Sequence, residues 1–104
     1  MITLPLPSVT SGAGGTATIP ITPNGNWRWI VAQISTEAPN APIGSSCKVR
    51  FGGAIVVPFM VPTGDVASGQ PPLEVPPGRT ATIEWAGLGS GVLCKATILY
   101  EQVR

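Results

Sequence analysis

The groups that could do chemistry in this chain are few, and the missing ones decide as much as those present. There is no histidine among the 104 residues. That removes Ser–His–Asp and Cys–His nucleophilic catalysis and every imidazole-based metal site. The two cysteines, Cys47 and Cys94, cannot close a zinc site within one chain, because structural zinc takes four ligands. The carboxylates are Glu37, Asp65, Glu74, Glu84 and Glu101, scattered along the chain. A glycosidase needs two carboxyl groups facing one another across a cleft; five scattered carboxylates are expected on solvated strand faces instead. Asp65 alone does not supply the clustered oxygen ligands of a calcium loop. Gly87-Leu88-Gly89-Ser90-Gly91 lacks the lysine, the spacing and the following helix of a phosphate-binding loop, and reads as a turn. No catalytic residue, metal site or cofactor is expected, and the chain is expected not to be an enzyme.

The aromatic residues are the remaining candidates for a binding site. Trp27 and Trp29 share one face of a strand, the spacing of a sugar-stacking platform, with Trp85 and Tyr100 as further members. The competing reading is that aromatics at alternating positions of a small β domain are its core. If Trp27 or Trp29 is exposed, the chain reads as a carbohydrate-binding or host-recognition module.

Charge narrows the partners. Only 11% of residues are charged while 43% are hydrophobic, and the net charge is +1. Ordinary soluble proteins carry about 25% charged residues, so much of this surface is expected to be covered by other subunits. Arg28, Lys48, Arg50, Arg79, Lys95 and Arg104 form no basic run, which argues against nucleic acid. No apolar stretch approaches the ~18 residues of a membrane-spanning helix. Met1–Ser8 lacks the basic start and apolar run of a signal peptide, so reduced thiols are expected. A Cys47–Cys94 bridge is conceivable if their strands face each other; the simpler reading is two buried thiols acting as small hydrophobes.

The elements that must position these residues are strands. The 13 glycines and 12 prolines are spaced between β-branched runs, as in the turns of an all-β domain. Met1–Ser11 reads as an extended arm, because Pro5 and Pro7 hold Leu4 and Leu6 in extended backbone. Ile2, Leu4 and Leu6 then share one side, which lies either on the chain's own sheet or on a neighbouring subunit. Gly12–Gly15 reads as a flexible joint. Thr16–Ile21 alternates, and Pro20 sends it to a sheet edge. Pro23–Asn26 is a turn. Trp27–Thr36 reads as a central strand, with Trp27, Trp29, Val31 and Gln33 on one face. Cys47–Phe51 places Cys47, Val49 and Phe51 inward, and Gly52-Gly53 reverses the chain or forms a bulge.

Ala54–Val61 is apolar on both faces, uncharged, and carries Pro58, which pushes it to an edge. Such an edge is adhesive unless covered. Pro62–Pro72 reads as loop and Leu73–Val75 as a short strand. The last third reads as a hairpin: Ala81, Ile83 and Trp85 alternate inward, the glycine-rich turn follows, and Cys94, Ala96, Ile98 and Tyr100 alternate inward again. A terminal helix over Val92–Arg104 is the competing pattern there. The expectation is one all-β domain: a β-sandwich, jelly-roll or immunoglobulin-like, of seven or eight short antiparallel strands at roughly 8–12-residue spacing. Its parts are the arm at residues 1–11 and the sandwich at residues 12–104. Val92 stands where an immunoglobulin domain would carry its corner tyrosine, so a true immunoglobulin domain is not expected.

A short apolar arm, a low-charge sandwich and the closing stretch LEVPPGRTATIEWAGLGSGVLCKATILYEQV resemble small β-sandwich virion proteins of tailed bacteriophages, particularly capsid decoration (cementing) and head or tail accessory proteins. The resemblance is architectural and covers the whole chain loosely. It implies a non-enzymatic structural protein that forms homo-oligomers such as trimers, binds a major capsid or other virion protein, and resides in the virion after assembly in the host cytoplasm. Read from the residues themselves, the contact candidates are Ile2, Leu4 and Leu6 on the arm, and Ile55, Val57, Phe59 and Met60 on the apolar edge.

Overall fold

The computed structural model describes the backbone of residues 1–104 and the side chains of all of these except residues 70 and 71. Among the described residues there is no helix, and nine strands form two antiparallel sheets. They are β1 (Ile2–Pro5), β2 (Val9–Thr10), β3 (Ala17–Ile21), β4 (Arg28–Glu37), β5 (Ser46–Phe51), β6 (Ala54–Met60), β7 (Gly64–Val75), β8 (Ala81–Ala86) and β9 (Leu93–Val103). One sheet runs β1-β9-β4-β7, with β2 also on β9; the other runs β3-β8-β5-β6. Their inward faces meet in a single core that holds Ile19, Val49, Ile83 and Trp85 from one sheet and Trp29, Val31, Ile34 and Ile98 from the other. The Trp85 indole is 1% exposed. Burying about 200 Å² of indole contributes about 5 kcal/mol by the usual area relation.

The alternation in the last third holds. Ala81, Ile83 and Trp85 are buried, as are Cys94, Ala96, Ile98 and Tyr100. The expected hairpin does not form, however. β8 pairs with β3 and β5, β9 pairs with β1, β2 and β4, and residues 87–92 carry the chain from one sheet to the other. Period-2 alternation specifies which side chains face inward, and a strand facing its neighbour across a core shows the same pattern as one paired beside it. The competing helix over Val92–Arg104 is strand β9.

Other expectations change for similarly non-local reasons. The stretch read as loop at Pro62–Pro72 belongs from Gly64 onward to β7, because Gly64–Ser68 finds Gln33–Glu37 as a ladder partner. Strand β4 is central, as expected, but its inward face changes phase. Val31 pairs with Tyr100 and Gln33 with Leu99, so Ala32 is an extra, bulged residue. Trp29 and Val31 face the core before it, and Ile34 and Thr36 after it. Gln33 therefore leaves the face it was expected to share with Trp29 and Val31.

The N-terminal stretch is extended and lies on its own sheet, where Ile2–Pro5 pairs with Tyr100–Thr97 and Val9–Thr10 with Cys94–Leu93. The expected joint at Gly12–Gly15 is a hydrogen-bonded turn, with Gly15 N–H donating to the Gly12 carbonyl at 2.9 Å. Gly15 has φ +75°, and a Cβ there would lie 3.1 Å from the Gly89 nitrogen, so only glycine fits. Gly52 and Gly53, at φ +61° and +82°, close the two-residue hairpin between β5 and β6.

Candidate functional site

Most of the chemistry-bearing groups are dispersed. Glu84 pairs with Arg50 at 3.3 Å on the outward face of its sheet. Glu74 and Glu101 flank Ile30 on the outward side of the other sheet, one strand away on either side. Two strand spacings separate them by about 10 Å. Among the described residues no three His, Cys, Asp or Glu side chains gather as metal ligands. Cys47 and Cys94 are buried free thiols. Burial, with smaller contributions from Cys94 and Asp65, pushes the Cys47 thiol up to about 12, and burial raises Cys94 as well. Both are therefore protonated and inert at neutral pH.

The tryptophans do not form an exposed platform. Trp29 is 2% exposed and stacks on Tyr100 with ring centroids 4.2 Å apart. Trp85 is buried, and its indole N–H donates to the Pro62 carbonyl at 3.3 Å. Trp27 is half-buried, and the Arg104 guanidinium sits 4.6 Å from its ring centroid. The competing core reading accounts for Trp29, Trp85 and Tyr100.

What the structure does assemble is a mainly apolar side around the uncharged strand β6. β6 is the last strand of its sheet, paired with β5 alone, and β7 is the last strand of the other. The chain passes from β6 to β7 through a turn at residues 61–64, closed by Gly64 N–H donating to the Val61 carbonyl at 3.1 Å. The Asp65 carboxylate accepts from the Val61 and Val66 amides at 2.7 and 2.8 Å. These two bonds hold its carboxyl below the usual 3.8. Ala38 N–H donates to the Thr63 carbonyl at 3.0 Å and anchors the turn from the core side.

Along this anchored edge the side chains stand bare: Ile55 is 48% exposed, Val56 41%, Phe59 68% and Val61 43%. Between β6 and the β4–β7 pair lies a half-open cleft of about 660 Å³, with Val31, Ile34, Val57, Ala67 and Leu73 as apolar lining and Gln33, Ser68 and Glu74 as polar lining.

The contact candidates divide accordingly. Ile55 and Phe59 are exposed on the edge, and Val57 is half-buried in the wall of the cleft. Met60 is fully buried and leaves the set, because the register of β6 shifts between its pairings with Val49 and Cys47 and turns Met60 into the core. On the N-terminal strand Ile2 is exposed, whereas Leu4 and Leu6 pack half-buried against the core. The structure does not bring the two groups together, since β1 and β6 lie at edges of different sheets. Val56 and Val61 were missed; the two-sided apolar pattern of Ala54–Val61 was the available signal. The cleft has no local signal, because its walls come from strands of both sheets, β4 and β7 from one and β6 from the other.

No protein-family profile matches the chain, and no curated protein sequence or solved structure matches it significantly.

Proposed function

We propose that this chain is a non-enzymatic structural protein of a virus particle, a decoration or cementing subunit that binds a capsid lattice and braces it through apolar contacts. The observation that carries the reading is the edge strand β6, which holds no charge and leaves Ile55, Val56 and Phe59 bare to water. An apolar strip of this kind is a cost to a free monomer and a gain once a partner covers it.

The strand order supports the same reading. With β1 and β2 counted together as the first of eight strands, the sheets run 1-8-3-6 and 2-7-4-5. That is the order of a jelly roll, an architecture common in viral capsid domains, and we infer jelly-roll rather than immunoglobulin-like topology from it. In this reading the protein acts in the virion as an oligomer, and its partner is the major capsid protein or another virion component.

The test is binding of the purified protein to capsid shells of tailed bacteriophages stripped of their accessory proteins. Saturable co-sedimentation, with a higher temperature of shell rupture, is the expected result. Ile55→Asp, on the exposed edge, is expected to weaken binding by about tenfold or more without altering the circular dichroism spectrum. Absence of binding and of shell stabilisation overturns the proposal. Deletion of Met1–Pro7 is a poorer test, because it would strip β1 from β9 and expose Leu4 and Leu6 contacts in the core.

A further inference from the structure

The cleft beside β6 owes its shape to an irregularity in the opposite sheet. Strand β7 pairs Ser68 with Gln33 and Leu73 with Val31, so residues 69–72 stand against the single bulged Ala32 of β4. A bulge re-aims the side chains around it, and bulges are over-represented next to functional sites. Val31 and Ile34, on either side of Ala32, are both buried and form the floor of the cleft. Val57, Ala67 and Leu73 line it half-buried, and Ser68 and Glu74 are exposed at its mouth. We propose that this cleft binds a small cationic amphiphile, a primary amine on an apolar body of roughly 8–12 carbons, with the body on the Val31 and Ile34 floor and the ammonium against the Glu74 carboxylate. The inference goes beyond the assembly reading and does not rest on it, because Ile55 and Phe59, the most exposed residues of β6, do not line the cleft.

Charge selects the head group. Glu74 is the one charged side chain among the described residues that line the cleft. The one ion pair among the described residues is Arg50 with Glu84, on the other sheet, so no cation of the chain neutralises Glu74. The next carboxylate across the ladder is Glu101, which faces the same side from β9 and adds to the negative potential there. An ammonium at the mouth gains an ion pair with Glu74, and its three donors also find acceptors in Gln33 and Ser68. A carboxylate head would be repelled, and a neutral one would forgo the ion pair.

Size and lining select the body. At about 660 Å³ the cleft lies within the roughly 300–1,000 Å³ of small-molecule sites. An apolar cavity of about 150 Å³ already holds a benzene ring, so even part of this half-open volume takes a medium-length alkyl chain or a pair of rings. The walls facing that body are Val56, Val57 and Pro58 from β6 and Ala67 and Leu73 from β7, which offer it no charge. A mostly apolar recess with a few polar groups that fix orientation is the usual make-up of a small-ligand site.

Titration of the isotope-labelled full chain with n-octylamine, followed by amide NMR shifts, tests this. Saturable shifts are expected at Gln33, Ala67, Ser68, Leu73 and Glu74. Lengthening the probe from hexylamine to octylamine is expected to tighten binding about tenfold, because each fully buried methylene is worth about fourfold. Octanoate, whose carboxylate would meet Glu74, is expected to bind at least about tenfold more weakly than octylamine. Glu74→Gln is expected to weaken octylamine about threefold to fivefold, as for a solvent-exposed ion pair, and to narrow its advantage over octanoate. Ala67→Phe, which fills the cleft, is expected to abolish binding of both amines with an unchanged circular dichroism spectrum; Glu74→Gln, at an exposed residue, carries the test if Ala67→Phe disturbs the fold. Ile55→Asp, on the edge but outside the cleft, is expected to leave octylamine affinity unchanged. Absence of saturable shifts, shifts that fall elsewhere, octanoate bound as tightly as octylamine, or unaltered octylamine affinity in Glu74→Gln overturns the proposal. Octylamine binding by a protein that binds no shell would overturn the assembly reading while supporting the ligand site, and shell binding without octylamine binding would do the reverse.

Discussion

The two flanks of the sandwich close in different ways. On the flank formed by β1, β2 and β3, the chain's own N-terminal strands cover the edge of β9, and Ser11 locks them down. Its hydroxyl donates to the Gly89 carbonyl at 2.8 Å and accepts from the Val92 amide at 2.9 Å. Its backbone bonds to Val92 and Gly91, while Gly15 accepts from Leu88, all at 2.9 Å. Where this flank still ends in an open strand, β3 faces water with Thr18 and Pro20. On the other flank, β6 and β7 end separate sheets and are joined by a turn, a mainly apolar cleft lies beside them, and Ile55, Val56 and Phe59 are exposed. One flank is clasped by hydrogen bonds from the chain's own N-terminal strands and ends in β1 and β3. The other leaves Ile55, Val56 and Phe59 exposed along an edge strand.

Adjacent residues on β6 give the largest test of that contrast. Met60→Ala should cost about 2–5 kcal/mol, as expected for a large side chain removed from a packed core. Phe59→Ala should cost less than about 0.5 kcal/mol, as for surface substitutions generally. Urea unfolding of the two variants, measured at a concentration where the protein is monomeric, checks this. Equal losses would mean that the bare flank is not bare.

On the closed flank, Ser11→Ala removes the buried hydroxyl and with it the hydrogen bonds to the Val92 amide and the Gly89 carbonyl. A loss of about 1–3 kcal/mol is expected. Hydrogen exchange should locate it: protection should fall at Val92, Leu88 and Gly91 and remain unchanged across β5 and β6.

The smallest expected effect concerns the turn that joins β6 to β7. Its two amide bonds lower the Asp65 carboxyl below 3.8, so they favour the ionised form in the folded protein. Their contribution is present above the unfolded value and is lost as pH falls through the depressed folded value. The melting temperature of the native protein should therefore fall more steeply than that of Asp65→Asn between about pH 4 and pH 2. Identical pH profiles would show that the turn is not held by its carboxylate.

The candidate site was partly legible in the sequence. Ala54–Val61 is apolar on both faces and interrupted by Pro58, and those two local facts place an adhesive strand at a sheet edge, where β6 stands. Which of its side chains face water was not legible. Two shifts of register against β5 break the alternation, so that Ile55 and Val56 are both exposed while Met60 is buried. The cleft was invisible for a related reason, since Val31, Val57 and Leu73 become neighbours only when both sheets are in place.

By itself the sequence determined the class of fold, the all-β character and the inward residues of the regular strands. Those follow from the period-2 geometry of a single strand and from where glycine and proline interrupt it. Ile19, Val49, Ile83, Trp85 and Ile98 are buried as that geometry requires. Tertiary structure alone decided that β8 and β9 belong to different sheets, that Ala32 shifts the phase of β4, that Ser11 clasps the Gly89–Val92 turn, and that β6 and the β4–β7 pair leave a cleft between them. Each of these depends on which strand lies beside which. That choice is made by contacts between residues distant along the chain, and local alternation is the same whichever partner is taken.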